Sequence, residues 1–356
     1  MIATNLTESE QTVELASRIL ADLSEPFLLD GQEVFTAASI GVTLFPSDRG
    51  EPGQLLKNAD LALYDAKAEG RGTYKFFSAE MQSRIQSRKS MERELRSALS
   101  DNQFFLCYQP WVDIASRRLS GVEELIRWQS PDKGVVSPNE FVPVAESTGL
   151  IVPLGTWVPE EACRQIVEWR SQGLAPLTVA VNLSAVQFKN ANFASDVQRV
   201  IERSGIDPRY LELEITESMV MDRVEEVTTL LGRLKKLGVQ LAIDDFGTGY
   251  SSLAYLKRFP VDKLKIDRSF VRDVIVDAED DAIVKTIIGL SKNLGLESVA
   301  EGIENEEQFK RLRELGCDEA QGYYFGKPMR ADDLVQWCNR WSETQPQPDY
   351  QSAATA

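Results

Sequence analysis

The sequence predicts an α/β protein built around a (β/α)8 barrel and preceded by a smaller α/β segment. Three observations carry this expectation. From about residue 103 to 340, short apolar runs alternate with longer helical stretches, which is the order of repeated βα units. One of those runs ends in Asp244-Asp245-Phe246-Gly247-Thr248-Gly249, the way a buried strand delivers polar groups to the rim of an α/β fold. The 356 residues are 43% hydrophobic and 26% charged, enough for one large soluble domain and a smaller piece. A doubly wound open sheet is the alternative architecture.

Residues 1–79 read as the smaller segment, with a helix over 11–23, one or two strands over 33–44 and a second helix over 59–68 closed by Gly70. Over 80–102, Met81, Ile85, Met91, Leu95 and Leu99 recur among Arg and Glu. This is an amphipathic connecting helix whose apolar stripe needs a neighbour. The barrel is expected over 103–341, with strands at 104–111, 121–128, 177–184, 210–217, 239–245, 263–267, 297–303 and 319–325. The link 113–119 leaves no room for a crossover helix, so the first strand is expected antiparallel to the second. The tail 342–356, rich in Gln, Pro, Ser and Ala, is expected to be disordered.

Composition narrows the chemistry. The formal charge of −16 argues against a DNA or RNA duplex or an anionic membrane surface as partner. No apolar run is long enough to span a bilayer, so a membrane would be reached only through domains outside this sequence. The four cysteines, Cys107, Cys163, Cys317 and Cys338, form no Cys-x-x-Cys pair, which points to reduced thiols and a cytoplasmic setting. Histidine is absent. That excludes Ser-His-Asp and Cys-His nucleophilic chemistry and His-ligated zinc.

Period-2 alternation sorts the strand residues by face. Glu123, Leu125 and Arg127 share one face and Glu124 takes the other. Asn182 lies with Thr178 and Ala180, Glu212 with Glu214, and Lys263 with Lys265 and Asp267. Glu301 and Gln321 each precede a glycine. In a barrel, Glu123, Asn182, Glu214, Asp244, Asp245, Lys265, Glu301 and Gln321 would surround one mouth. The set is rich in oxygen and lacks sulfur and imidazole, which suits Mg²⁺ or Mn²⁺, with room for two ions. Paired cations suit in-line displacement at phosphorus. Lys265 could help deprotonate a water if neighbouring cations lower its pKa, and Arg127 offers a fork for a phosphate. Each residue also has a plainer reading. A strand-end Asp caps a helix, a lysine snorkels at the surface, and two alternating glutamates line an exposed face.

The chain resembles the EAL-domain cyclic di-GMP phosphodiesterases. The resemblance rests on Tyr108-Gln109-Pro110, Glu123-Glu124-Leu125-Ile126-Arg127-Trp128, Ala145-Glu146-Ser147-Thr148-Gly149-Leu150-Ile151, Val181-Asn182-Leu183-Ser184, Glu214-Ile215-Thr216-Glu217, the run Asp244 to Leu253, Lys265-Ile266-Asp267, Ala300-Glu301-Gly302-Ile303-Glu304 and Gln321-Gly322-Tyr323. It implies a barrel with an antiparallel first strand, hydrolysis of cyclic di-GMP to linear pGpG, and dependence on Mg²⁺ or Mn²⁺. It implies metal ligation by Glu123, Asn182, Glu214, Asp244, Asp245 and Glu301, and water activation by Lys265, aided by Gln321. It places Gln109, Glu123, Leu125, Arg127, Asp267 and Glu304 at the substrate. Glu217 is implied to anchor the loop 246–252, which in this family lies near the interface of a homodimer. A non-catalytic cyclic di-GMP receptor is the alternative activity, and an enzyme for a different phosphodiester is a third.

One departure stands out: the family's Glu-Ala-Leu reads Glu123-Glu124-Leu125 here. Glu124 is expected to face the helices and to perturb packing unless its carboxyl finds a partner. In the first segment, Ala38-Ser39-Ile40-Gly41-Val42 and Ala59-Asp60-Leu61-Ala62-Leu63-Tyr64-Asp65-Ala66-Lys67 with Gly70-Arg71 resemble the second half of a GGDEF diguanylate cyclase domain. The Gly-Gly-Asp-Glu-Phe signature is absent. A packing module is therefore expected there, although Lys67 and Arg71 match phosphate-contacting positions.

Overall fold

The computed structural model describes residues 1–4, 9–29, 32–68, 72–221, 224–249 and 253–344. Gly70, Arg71, residues 250–252 of the glycine-rich loop and residues 345–356 of the tail lie outside them. The chain divides into two units, Met1–Glu94 and Leu95–Ala356, and the division falls inside the helix Ala79–Ala98.

In the first unit the helix Ser9–Ser24 precedes an antiparallel hairpin of β1 (Phe27–Leu29) and β2 (Gln32–Val34). Strand β3 (Ile40–Val42), the helix Pro52–Ala68 and β4 (Tyr74–Phe76) then form a parallel βαβ unit. The helix crosses tightly over Gly41, where a Cβ would lie 2.0 Å from the Ala59 carbonyl oxygen and 2.3 Å from Leu63 N. The sequence pattern does not reveal β1 or β4, because three-residue strands are too short to show an alternation.

The second unit contains β5 (Phe104–Asp113), β6 (Leu119–Ser130), β7 (Gly134–Val136), β8 (Thr178–Asn182), β9 (Leu211–Thr216), β10 (Gln240–Phe246), β11 (Lys263–Ile266), β12 (Glu297–Ala300) and β13 (Glu319–Gln321). Strands β6 and β8 to β13 follow one another in parallel, and β5 closes the ring antiparallel to both β6 and β13. The closed barrel replaces the open-sheet alternative. The antiparallel start has a local cause. Asp113 Oδ1 accepts from Ser116 N at 2.6 Å, and the Asp113 N–H bonds the Arg118 carbonyl, so the chain reverses within a few residues. Strand β7, which pairs with the far end of β6, is an addition that the sequence pattern does not show.

Strand residues are buried on both faces, as parallel strands between helices and a closed interior must be. Val179, Leu213, Ile215, Ile243, Leu264 and Ile266 join helix residues such as Ile166, Leu231 and Ile288 in one apolar core. The alternate positions, including Glu212, Glu214, Lys263 and Lys265, point into the barrel. Strands β12 and β13 end earlier than the expected 303 and 325. Gly302 turns the chain with φ 73°, and Gly322 packs so closely that a Cβ would sit 2.1 Å from the Ile303 carbonyl oxygen. The last helix, Ala331–Thr344, runs past Ser342 and so overturns the expectation of disorder at 342–344. Its Trp337 and Trp341 stack at 5.1 Å, and Trp341 Nε1 donates to the Arg117 carbonyl at 2.9 Å.

Gly121 tests this register. A Cβ there would lie 2.3 Å from Trp111 Cζ2 and 2.6 Å from the Thr178 carbonyl oxygen. Gly121→Ala is expected to lower stability by roughly 1–3 kcal/mol through overpacking, read from urea or thermal unfolding. An unchanged midpoint would contradict the β5–β6–β8 packing.

Candidate active site

The C-terminal ends of the parallel strands meet on one rim. Glu123 lies in β6, Asn182 ends β8, Glu214 is in β9, Asp244 and Asp245 are in β10 and Lys265 is in β11. Glu301 directly follows β12, and Gln321 ends β13. The fold brings their side chains together. Lys265 Nζ is 2.6 Å from Glu301 Oε1, 2.7 Å from Glu214 Oε1 and 3.2 Å from Asp244 Oδ1. Glu123 is gripped from both sides: Asn182 Nδ2 donates to Oε1 at 2.7 Å and Gln321 Nε2 to Oε2 at 2.6 Å. The plain readings of Glu212, Glu214 and Lys265 fail, since all three are buried.

The electrostatics of this cluster are lopsided. Burial works against the Lys265 ammonium, yet Asp244, Glu123, Glu214 and Glu301 outweigh it and raise the lysine pKa well above its ordinary value. Burial also raises Glu214 and Glu301 well above the carboxylate range, although Lys265 pulls both down. One ammonium faces four carboxylates, so the interior is short of positive charge. The sequence-level expectation of a lowered lysine pKa thus holds only when cations offset those carboxylates.

Asp245 takes a left-handed backbone, φ 54°, which aims its carboxyl differently from that of Asp244. Burial and then the charge of Asp244 push it up to about 6. Oxygens of Asp244, Asp245 and Glu301 lie within 4.8 Å of one another. Beyond the pair, Gly247 N donates to Glu217 Oε2 at 2.8 Å, so Glu217 holds the start of the glycine-rich loop. Asp267 leaves the lysine face: its Oδ1 caps the helix Arg268–Asp273 by accepting from Ser269 N at 2.9 Å, and it lies beside Asp245.

Strand β6 pairs with β8 only over Gly121–Glu123 but with β5 as far as Trp128. Leu125 and Arg127 therefore extend beyond the barrel rim and are half-buried. Gln109, directly across from Glu123, donates to the Gly326 carbonyl at 3.2 Å. Glu304 is exposed and acts on Arg272; among the described residues it has no contact with the cluster.

A second charged layer escaped the sequence reading. Lys263 Nζ lies 2.6 Å from Glu319 Oε2 and 3.2 Å from Glu212 Oε2. The available signal was spacing: Lys263, Glu212 and Glu319 each stand two residues before a rim residue on the same strand face.

The residues fit a hard divalent cation. The donors are oxygens, and Glu214 Oε2 and Gln321 Oε1 are buried without a hydrogen-bond partner among the described residues. The deficit of positive charge points the same way. The metal's identity does not follow from the donor set, since Mg²⁺ and Mn²⁺ share this preference.

Comparison with known proteins agrees with this fold. The EAL domain profile matches residues 92–328, and the diguanylate cyclase GGDEF domain profile matches residues 1–73. The chain is 43% identical over 328 residues to the bifunctional diguanylate cyclase/cyclic di-GMP phosphodiesterase MucR of Pseudomonas aeruginosa, covering 92% of this chain and 48% of that protein. It is 41% identical over 328 residues to the cyclic di-GMP phosphodiesterase NbdA of the same organism, covering 92% and 42%. The chain thus spans less than half the length of these curated relatives. A solved structure of the PaMucR phosphodiesterase in complex with c-di-GMP superposes with a TM-score of 0.67 at 45% identity, covering 69% of this chain and 99% of that one.

Glu124 departs from the Glu-Ala-Leu pattern. It is 2% exposed, and its Oε1 has no hydrogen-bond partner among the described residues. It lies directly across from Tyr108, whose ring packs edge-on against Trp169 at 4.7 Å, so it faces the helices as expected. Burial, and then the charge of Glu123, push its carboxyl up to about 8. The folded state therefore keeps a proton that the unfolded chain releases from about pH 4.5 upward, and stability falls as pH rises toward 8. Glu124→Met fills the same volume without a polar atom. It is expected to gain roughly 1–3 kcal/mol, with the gain larger at pH 8 than at pH 5. Urea unfolding at both pH values checks this, and an equal gain at both, or a loss, would contradict it.

Proposed function

The chain belongs to the EAL-domain family, and from that membership we propose that its barrel is a metal-dependent phosphodiesterase converting cyclic di-GMP to linear pGpG. The observation that carries the reading is the buried Lys265 ammonium held among Glu214, Asp244 and Glu301 at the strand ends. The names of the relatives support the choice of substrate. Glu123, Asn182, Glu214, Asp244, Asp245 and Glu301 would hold two Mg²⁺ or Mn²⁺ ions. When bound, such ions neutralise phosphoryl oxygens and make water a better nucleophile near neutral pH.

In this reading the chain's own groups position and shuttle protons. Asn182 and Gln321 fix both oxygens of Glu123. Lys265 Nζ orients the attacking water, and as the neutral amine left when bound cations lower its pKa it would accept that water's proton and pass it on. The water oxygen bonds to phosphorus and the P–O3′ bond breaks, leaving the 5′-phosphate and 3′-hydroxyl that pGpG requires. Arg127 meets a phosphate, and Gln109 and Leu125 line the groove. Asp267 and Glu304 are proposed substrate contacts through the loops after β11 and β12. Glu217, by holding Gly247, keeps the loop after Asp245 in place.

The same reading includes a homodimer formed through the barrel and a cytoplasmic setting. Among the described residues no helix is long and apolar enough to cross a membrane. Residues 1–79 serve as a packing module, since they lack the Gly-Gly-Asp-Glu-Phe signature.

Purified protein given cyclic di-GMP with Mg²⁺ or Mn²⁺ is expected to release pGpG, resolved by chromatography. Binding without turnover would sink the enzyme reading in favour of a receptor. Glu123→Ala and Lys265→Ala are each expected to lower kcat by about 100-fold or more while the circular dichroism spectrum is kept. Near-normal rates in either variant would remove the role assigned to that residue.

A further inference from the structure

Lys263 and Lys265 are the two buried cations among the described residues. They stand on one face of β11, about 7 Å apart along the strand. Lys263 is enclosed below the rim by Glu212, Glu319 and the Trp111 ring, whose centroid is 5.2 Å from its Nζ. Glu212 lies two residues before Glu214, and Glu319 two before Gln321. The barrel interior is therefore two stacked layers, each with one ammonium and a surplus of carboxylates.

We infer that Lys263 is a positioning residue for the proposed hydrolysis, holding Glu212 and Glu319 so that Lys265 stays with Glu214, Asp244 and Glu301. The inference rests on the phosphodiesterase reading above. A buried ion cluster adds little net stability over apolar side chains of similar volume, so its consequence lies in where charge sits. Without Lys263, Glu212 would be a buried carboxylate left to Lys265, which already acts on it from one strand repeat above. Lys265 is the other buried ammonium on that strand face, and it would be drawn down toward Glu212. The attacking water would then lose its orienting group, while the rim carboxylates would stay where they are.

The test compares wild type, Lys263→Met and Lys263→Met/Glu212→Gln for pGpG formation, with Mn²⁺ binding measured by calorimetry. Lys263→Met is expected to lose about tenfold or more in kcat with KM within about twofold, and the second change to restore kcat to within about threefold of wild type. Lys263→Met should bind Mn²⁺ at least as tightly as wild type, because the rim ligands are untouched and the interior is more negative. Near wild-type kcat in Lys263→Met, a double variant as slow as the single, or weakened Mn²⁺ binding would overturn the inference. If Lys263→Met does not fold, Glu212→Gln alone decides. It leaves Lys263 on Glu319 and Lys265 on its own partners, so kcat near wild type is expected, and a tenfold loss would overturn the inference. A wild-type protein that binds cyclic di-GMP but releases no pGpG would instead refute the phosphodiesterase reading.

Discussion

The structure depends on burying charge inside a closed barrel. Lys265 is enclosed by Glu214, Asp244 and Glu301 at 2.6–3.2 Å, and Lys263 by Glu212 and Glu319 below it. Isolated charges in such a place would be prohibitive, so each must find a partner at hydrogen-bonding distance. Pairing these groups requires that β9, β10, β11, β12 and β13 keep one register, because a slip by one residue would send every charge into the apolar layer beneath the helices.

That requirement explains features that seem unrelated. Gly121 and Gly322 permit backbone approaches that a Cβ would block, and so keep β6 and the 301–303 turn close to the ring. The left-handed Asp245 separates two adjacent carboxyls, so that both serve one rim instead of alternating across the sheet. Glu217 reaches back from the end of β9 to hold Gly247, which ties the residue that starts the loop to the neighbouring strand. The two charged layers leave the interior with more negative than positive groups. A divalent cation at the rim would offset that imbalance.

Much of this was legible in the chain because barrel strands write a period of two. Alternation alone put Glu123, Leu125 and Arg127 on one face and Glu124 on the other, and the short link 113–119 required an antiparallel start. Other features needed tertiary information. Asp267 shares the parity of Lys265 but leaves the strand to cap a helix, because the chain turns one residue earlier than the pattern suggests. Glu304 carries a motif position yet stands exposed beyond the turn at Gly302. The Lys263 layer stayed hidden because spacing puts Lys263, Glu212 and Glu319 two residues before rim positions but does not say that their charges meet. The final helix continues to Thr344 on the strength of tryptophan packing that composition cannot encode.

If the rim carboxylates hold a cation beside Lys265, anomalous diffraction from crystals grown with Mn²⁺ locates it. The expected peak is bounded by Asp244, Asp245 and Glu301, the carboxylates whose oxygens already lie within 4.8 Å of one another. Saturating Mn²⁺ with no peak at that rim, or peaks only elsewhere on the protein, would overturn the cation site.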